Sequence, residues 1–390
     1  MIYVGIDVSK FKHDCVIINS DGEILVDVFQ VSNNLEGFTK LKNIILENIP
    51  NNDLQKIKVG LESTGHYSNN IINFIHQNSF PLTIFNPLST NLFRKAQTLR
   101  KTKTDKIDAI FIATMLFSDN SKPYSPKSYH MTEIKSLARH RFRLIDYRAK
   151  LKISYTRLLD IVFPELASVI WSVHQNSAYS LLLELPTTRD ISLCHLTKLT
   201  NILSKASKGK YGKDRASEIK ELAKNSIGTC SLGVSFELQQ TIRLIKNVDD
   251  EIKLLDKNVK VMLDELNSPI MSIPGISYVL ASIILSEIGD IQCFSTPAKL
   301  LAFSGLEPST HQSGKYTASH SKMVKRGSKY LRWALLQAAL LTTNKTQTFK
   351  SYFQKKKSEG KHHIVCLSHV AKKLLRVIYH LENTNTAFID

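Results

Sequence analysis

The chain has no CxxC pair; its five cysteines, Cys15, Cys194, Cys230, Cys293 and Cys366, are scattered over 390 residues. That spacing excludes a clustered zinc-ligand set and a disulfide framework, and fits free thiols in a reducing compartment. No run of about 20 apolar residues and no lipidation signal is present, so no membrane span or anchor is expected. The first residues lack the basic stretch of a secretory leader and already read as a strand. No Gly-Gly pair occurs anywhere. This weighs against an actin-like ATPase or sugar kinase, whose first strand also carries a Gly-Ile-Asp pattern but whose phosphate turns are glycine-rich. No internal repeat is evident. Negative charge is scarce: 34 acids face 52 lysines and arginines, a formal charge of +18. Such an excess points to a polyanionic partner, most often nucleic acid. Hydrophobic residues make up 43% of the chain, enough for real cores and too many for a disordered chain. The length allows two or three domains.

Strands and helices alternate over the first ~115 residues. Tyr3–Val8, Asp14–Ile18 and Ile24–Val31 read as consecutive strands, with Asn19, Asp21 and Gly22 in the turn between the last two. Leu35–Ile49 is amphipathic and reads as a helix. Lys56–Glu62 is a strand, Tyr67–Gln77 a helix, Pro81–Phe85 a fifth strand, and Ile110–Leu116 helical again. Three strands, helix, strand, helix, strand, helix is the layout of an RNase H-like domain. Beyond it, Met131–Phe163 reads as a long basic helix, with Leu137, Leu144, Leu151 and Leu158 every seven residues. Phe236–Leu266 is a second, apolar at steps of three or four. The two could form an antiparallel hairpin or zip to another subunit. Ser168–Gly233 between them is mostly helical in pattern, with Ser204–Asp214 an exposed loop. After a composition change at Ser268-Pro269, Ile273-Pro274-Gly275-Ile276 is either a hairpin whose amides meet a phosphate or an ordinary turn. Val279–Ile288, Ala298–Phe303, Lys329–Thr343 and Val365–Leu381 are the helices of a small C-terminal domain. The fold class is therefore α/β plus all-α, with domains at 1–125, 126–267 and 268–390.

Against the basic background four acids stand out. Asp7 sits on the first strand and Glu62 ends the fourth, where a charge is rarely there for packing. Asp105 and Asp108 are three apart, which on a helix places both on one face. Singly, Asp7 could be a turn residue and Asp105 an N-cap. Together the four suit a site for Mg²⁺, which a few carboxylates hold along with water and substrate phosphate; a pair of such ions can stabilise the attacking and leaving oxygens of a phosphodiester.

Two acid-free basic stretches accompany them. Ser79–Thr104 contains Arg94, Lys95, Arg100, Lys101 and Lys103, suited to phosphate backbone beside a metal or to a solvated loop. Lys315–Arg332 contains Lys315, Lys322, Lys325, Arg326, Lys329 and Arg332. Arg139, Arg141 and Arg143 add to this on the first long helix. Ser313, before Gly314, is placed on a tight exposed turn, where its hydroxyl could attack a phosphate if its alkoxide were stabilised.

Here a resemblance becomes specific. Gly5-Ile6-Asp7-Val8-Ser9-Lys10, Glu62-Ser63-Thr64-Gly65 and Lys103-Thr104-Asp105-Lys106-Ile107-Asp108-Ala109 resemble the N-terminal domain of the DEDD-type insertion-sequence transposases. Ile273-Pro274-Gly275-Ile276, Gly305-Leu306-Glu307-Pro308, Gln312-Ser313-Gly314 and Lys325-Arg326-Gly327-Ser328-Lys329-Tyr330-Leu331-Arg332 are similar to that family's second domain. The family is related to the pilin-gene invertase and includes bridge-RNA-guided recombinases. The resemblance implies a RuvC-like first domain with Asp7, Glu62, Asp105 and Asp108 as Mg²⁺ ligands, and Ser313 as the nucleophile of a C-terminal transposase domain. Ser309, four residues earlier, is the second candidate, since many relatives carry two hydroxyl residues before the glycine where this chain has Gln312. The long helices would dimerise as a coiled coil, and dimers would pair into a tetramer. A structured RNA would choose donor and target DNA, and strands would exchange through a covalent serine–DNA link and a four-way junction. A bacterial cytoplasmic, nucleoid-associated location follows.

Two rivals share these residues. A RuvC-like junction resolvase or nuclease would use the same acids to activate water, without Ser313 or the basic strip. A non-catalytic nucleic-acid-binding protein would not need all four acids.

Overall fold

The computed structural model describes residues 1–49, 53–63, 65–97, 105–118, 129–309, 312–313, 316–317 and 322–390. The chain divides into two compact units, Met1–Pro126 and Lys127–Asp390.

Unit 1 is mixed α/β. Its elements are β1 (Ile2–Val8), β2 (Lys12–Asn19), β3 (Ile24–Ser32), α1 (Leu35–Asn48), β4 (Ile57–Glu62), α2 (Ser68–Gln77), β5 (Leu82–Phe85), α3 (Pro87–Gln97) and α4 (Asp105–Ser118). The strands form one sheet in the order β3-β2-β1-β4-β5. β1, β2 and β3 are antiparallel neighbours, whereas β4 and β5 run parallel to β1. Both faces are covered, so strand side chains split by parity. Ile2, Val4, Ile6, Val59 and Leu61 enter a core with α1 and α2. Tyr3, Val16, Ile18 and Phe85 enter a second core with Ala109, Ile112 and Leu116 of α4. The Asn34 side chain caps α1 by accepting from Gly37 N at 2.8 Å, satisfying one of the orphan donors of the first turn. The eight elements read from the sequence are all present; α3 is an addition, filling part of a stretch that read only as basic.

Unit 2 is helical apart from a short hairpin. Two long helices, α5 (Tyr129–Val162) and α11 (Leu232–Leu266), are joined by α6 (Leu166–Val169), α7 (Asn176–Glu184), α8 (Thr188–Leu193), α9 (Leu196–Ser207) and α10 (Lys213–Lys224). Arg141 pairs with Asp256, Arg148 with Asp249 and Arg157 with Glu237. Partner numbers fall on α11 as they rise on α5, so the two run antiparallel within one chain. That settles the hairpin alternative for their mutual contact. The loop expected at Ser204–Asp214 is shorter than read: α9 runs to Ser207 and α10 starts at Lys213, with Lys208 in the left-handed region at φ 54°. The helices α5 to α11 share one core around Tyr155, Phe163 and Leu182.

A second core gathers α12 (Tyr278–Ile288), α13 (Pro297–Ser304), α14 (Lys329–Lys345), α15 (Gln347–Ser358) and α16 (His363–Thr384) around Leu335, Phe349 and Leu374. Of these, only α15, lysine-rich at its end, is not foreseen by the sequence pattern. The hairpin strands β6 (Gln312–Ser313) and β7 (Tyr316–Thr317) lie between α13 and α14. The Pro274-Gly275 turn packs on the backbone of α14: a Cβ on Gly275, at φ 103°, would stand 3.0 Å from Leu341 C and Thr342 N. This is the geometry of a packed turn.

Candidate active site

Glycine seats α4 on the sheet. A Cβ on Gly5 would fall 2.2 Å from the Ala109 carbonyl oxygen and 2.6 Å from Ala113 N; one on Gly60 would meet Leu116 at 2.8 Å. Only glycine lets the helix backbone approach so closely. Gly5 and Gly60 are register partners on parallel strands. Two residues on, Asp7 and Glu62 therefore emerge on the same face, at the end of the sheet where α4 begins. Asp108 is next to Ala109, the residue that covers Gly5, and Asp105 is the first residue of α4. The backbone thus brings all four expected acids to one sheet end; the Asp105 side chain lies outside the described residues.

Glu62 and Asp108 share a cavity of about 220 Å³, lined also by Pro87, Thr90, Asn91 and Arg94. Thr90 Oγ1 donates to Glu62 Oε2 at 2.7 Å. Arg94 Nη1 donates to Asp108 Oδ1 at 3.2 Å, and Arg94 Nη2 to Asn91 Oδ1 at 3.1 Å. Asp7 is half-buried and faces Asp14 across the β1–β2 ladder. Asp14 is buried and accepts from Gln30 Nε2 at 2.9 Å. Like charges directly opposed on a sheet repel, so this edge favours a cation. Burial, then the charges of Asp14 and Asp7, push the neighbouring Cys15 thiol up.

Among the described residues no three His, Cys, Asp or Glu side chains are grouped tightly enough to hold a metal. The donors in the cavity are nevertheless carboxylate, hydroxyl and amide oxygens, the hard ligands that Mg²⁺ takes. A cation, the Arg94 guanidinium, already stands between the walls. The donor chemistry fits a divalent ion.

The sequence did not single out Thr90, Asn91 or Asp14. Asn86-Pro87 was the available signal for the first two, since proline suits the first position of a helix. Asp14 lies on a strand buried from His13 to Ile18, and only the register with Asp7 marks it.

The second candidate region lies in unit 2. Residues 305–309 and 322–326 form an antiparallel ribbon: Ser309 N donates to Lys322 O, Val324 N to Glu307 O and Lys325 N to Gly305 O. A Cβ on Gly305 would fall 2.2 Å from Arg326 O, and one on Gly327 2.1 Å from Phe303 O. Ser328 closes the ribbon by capping α14 through Leu331 N at 3.2 Å. The ribbon carries β6 and β7, where Ser313 pairs with Tyr316; only the backbone of Ser313 is described. Ser309 belongs to the base, with its Oγ accepting from Lys322 N at 3.1 Å.

The expected cations divide. Lys322, Lys325, Arg326 and Lys329 are exposed along the ribbon. Arg332 is turned inward, donating to Lys325 O at 3.1 Å. Lys95 and Arg143 are exposed. Arg139 and Arg141 are engaged by carboxylates of unit 2: Arg139 Nε lies 2.6 Å from Glu287 Oε1, and Arg141 Nε 2.5 Å from Asp256 Oδ1. Arg100, Lys101, Lys103 and Lys315 lie outside the described residues. Among the described residues no helix is long and apolar enough to cross a membrane.

Residues 4–164 match the family model of the DEDD transposases of IS110 elements, and residues 267–354 the model described as "Transposase IS116/IS110/IS902 family". The chain is similar to an uncharacterized protein of insertion element IS116 from Streptomyces clavuligerus, 21% identical over 97% of this chain and 94% of that one. It is similar to the pilin gene-inverting protein of Moraxella bovis, 23% identical over 99% and 97%. Among solved structures, T. thermophilus RuvC in complex with a Holliday junction substrate aligns with 32% of this chain and 99% of that chain, at 13% identity and a TM-score of 0.24, too slight a likeness to bear on the fold.

Proposed function

The chain belongs to the DEDD-type insertion-sequence transposases of the IS110/IS116/IS902 family, and on that premise we propose that it exchanges DNA strands through a serine–DNA intermediate. One observation carries this: Asp7 and Glu62 leave the sheet side by side under the start of α4, where Glu62 and Asp108 line one polar cavity. The strand order, antiparallel on one side of β1 and parallel on the other, supports an RNase H-like, RuvC-like domain.

Asp7, Glu62, Asp105 and Asp108 would hold Mg²⁺. When bound, the ion supplies charge stabilisation at the phosphate oxygens. Thr90 and Asn91 orient the cavity wall, and Arg94 supplies positive charge beside it. The Ser313 hydroxyl attacks the scissile phosphorus. A serine–phosphate bond forms, the bond from phosphorus to one sugar oxygen breaks, and that oxygen takes up a proton equivalent to the one serine gives up. A sugar hydroxyl of the second strand later attacks the same phosphorus, which frees serine and joins the strands. The number of phosphodiester-type bonds stays constant, so no nucleotide triphosphate is needed. Ser309 is the weaker nucleophile because its oxygen is engaged at the ribbon base. The exposed Lys322, Lys325, Arg326 and Lys329 would hold the backbone being cut.

The family resemblance adds a structured guide RNA that selects donor and target, a homodimer, and a tetramer of two dimers in which one subunit's carboxylates act with another's Ser313. The charge of +18 supports polyanionic partners. Location at the nucleoid belongs to the same proposal.

The test is covalent trapping on labelled DNA with co-purified RNA and Mg²⁺. A protein–DNA adduct is expected in the wild type and absent in Ser313→Ala and in Asp7→Ala. Cut DNA ends with no adduct would make the chain a hydrolytic nuclease. An adduct that survives Ser313→Ala would move the nucleophile elsewhere.

A further inference from the structure

We propose that the helical segment between α5 and α11 binds an unpaired nucleotide, stacking its base on Trp171. Trp171 is 94% exposed. It lies between α6 and α7 at the mouth of a cavity of about 530 Å³ whose walls include His174, Gln175, Asn176, Lys210 and Tyr211. An exposed indole that lines a cavity offers a ligand a large flat apolar face. The volume is that of a small-molecule site.

The cavity is built. Gln175 Nε2 donates to Tyr211 Oη at 2.7 Å, and Trp171 N donates to the same oxygen at 3.3 Å. Asn176 Nδ2 donates to Ala206 O at 3.3 Å. One hydroxyl thus ties the tryptophan loop to the turn between α9 and α10, holding the ring without burying it. His174 is braced behind, its Nδ1 3.1 Å from Tyr179 Oη. Its Nε2 lies 3.4 Å from Thr156 Oγ1, so both ring nitrogens are engaged and the imidazole is a fixed part of the wall; burial, then Lys152, lowers its pKa.

Charge selects the ligand class. Lys210 lines the cavity; Lys205, Lys208 and Lys213 are exposed in the same stretch of chain, and Asp214 is the one acid in 205–215. Arg215 is held by Glu218 at 2.6 Å and sits 5.9 Å from the Tyr211 ring centroid. A flat apolar platform, the Gln175 and Asn176 amides at its edge and the Lys210 ammonium beside it match a base, its hydrogen-bonding edge and its phosphate. Inside a duplex the faces of a base are covered by its stacked neighbours and its edge by its pair, so the ligand is single-stranded. This site uses neither the carboxylates of unit 1 nor Ser313, so it stands or falls apart from the strand-exchange proposal.

Trp171 and Trp333 are the two tryptophans of the chain, and Trp333 is 37% exposed. Tryptophan emission is therefore read in EDTA for the wild type, Trp333→Phe and Trp171→Phe. The titrants are single-stranded DNA or RNA of about 12 nucleotides, the matching duplex, and inorganic polyphosphate. Saturable quenching by the single strands is expected in the wild type and in Trp333→Phe, weakening as salt is added. It is expected to fall to the Trp333 contribution alone in Trp171→Phe, and Lys210→Glu should weaken the midpoint about fivefold. The DNA and RNA arms tell which sugar is preferred. Unchanged emission with single strands, equal quenching by duplex or polyphosphate, or the same quenching in Trp171→Phe would overturn the proposal. The wild-type minus Trp171→Phe difference reads the site even if Trp333→Phe does not fold.

Discussion

In unit 1 the seating glycines lie two residues before the carboxylates; in unit 2 they lie well away from the serine. Gly5 and Gly60 let α4 sit on the sheet, and Asp7 and Glu62 follow at once on the same strands. Gly305 and Gly327 lock the ribbon base, but Ser313 stands eight residues beyond Gly305 on a separate hairpin. Metal ligands need fixed positions, because coordination tolerates little displacement. On the proposed mechanism, a nucleophile that meets a different strand at each half-reaction would gain from an arm. The two regions use the same device, backbone in place of side chain, at different distances from the chemistry.

The sharpest way to break this comparison is to refill the seat in unit 1. Gly5→Ala drives a methyl into the Ala109 carbonyl. A loss of ~3 kcal/mol is expected, read as a lower thermal midpoint with loss of DNA cleavage. Gly22→Ala is the control. Its φ is 83° but the space around it is open, so the loss should be only ~1 kcal/mol, from backbone strain alone. Equal losses would mean that the seat does not position the site.

Next in size is Arg139→Ala. Glu287 is buried, with 3% of its side chain exposed, and is held by Arg139 and by Lys135 at 3.4 Å. Removing the first partner of a buried carboxylate is expected to cost ~3 kcal/mol. Single-strand and duplex affinity should change little. A large drop in nucleic-acid affinity at unchanged stability would return Arg139 to the role its sequence pattern implied.

A smaller effect is the pH dependence of the same pair. Burial raises the Glu287 carboxyl, but the hydrogen bond from Arg139, then the charges of Lys135 and Arg139 and the Ser328 hydroxyl, outweigh it and hold the group below its usual range. A folded value below the unfolded one gives stability that is complete above the unfolded value of about 4.3 and lost as pH falls through the folded value. Unfolding midpoints of the wild type and Glu287→Gln are expected to differ above pH 5 and to converge at lower pH. A difference independent of pH would assign the effect to packing.

Sequence legibility followed how local the determining contact is. The strands of unit 1 showed themselves as apolar runs between turn residues, because both faces of the sheet are covered. The α5–α11 hairpin did not, because a heptad of leucines is the same whether the partner is in the chain or outside it. The carboxylates that decide it, Asp249, Asp256 and Glu237, lie about a hundred residues away from their arginines. For the same reason Arg139 and Arg141 read as nucleic-acid contacts. α3 was missed because its stretch was read for charge, and with it went Thr90 and Asn91. The four acids were legible as a set because strand ends and a helix start are local features. The cavity that Glu62 and Asp108 share with Thr90 and Arg94 was not, because β4, α3 and α4 meet only in three dimensions.

The most direct test of the account is Mn²⁺ binding, a paramagnetic stand-in for Mg²⁺, measured by electron paramagnetic resonance without DNA. Saturable binding is expected in the wild type, strongly weakened in Asp7→Asn, Glu62→Gln and Asp108→Asn, and tightened in Arg94→Ala, where the competing guanidinium is gone. A wild type that binds no more Mn²⁺ than the Asp7→Asn/Glu62→Gln/Asp108→Asn triple variant would contradict the claim that these acids form one cation site.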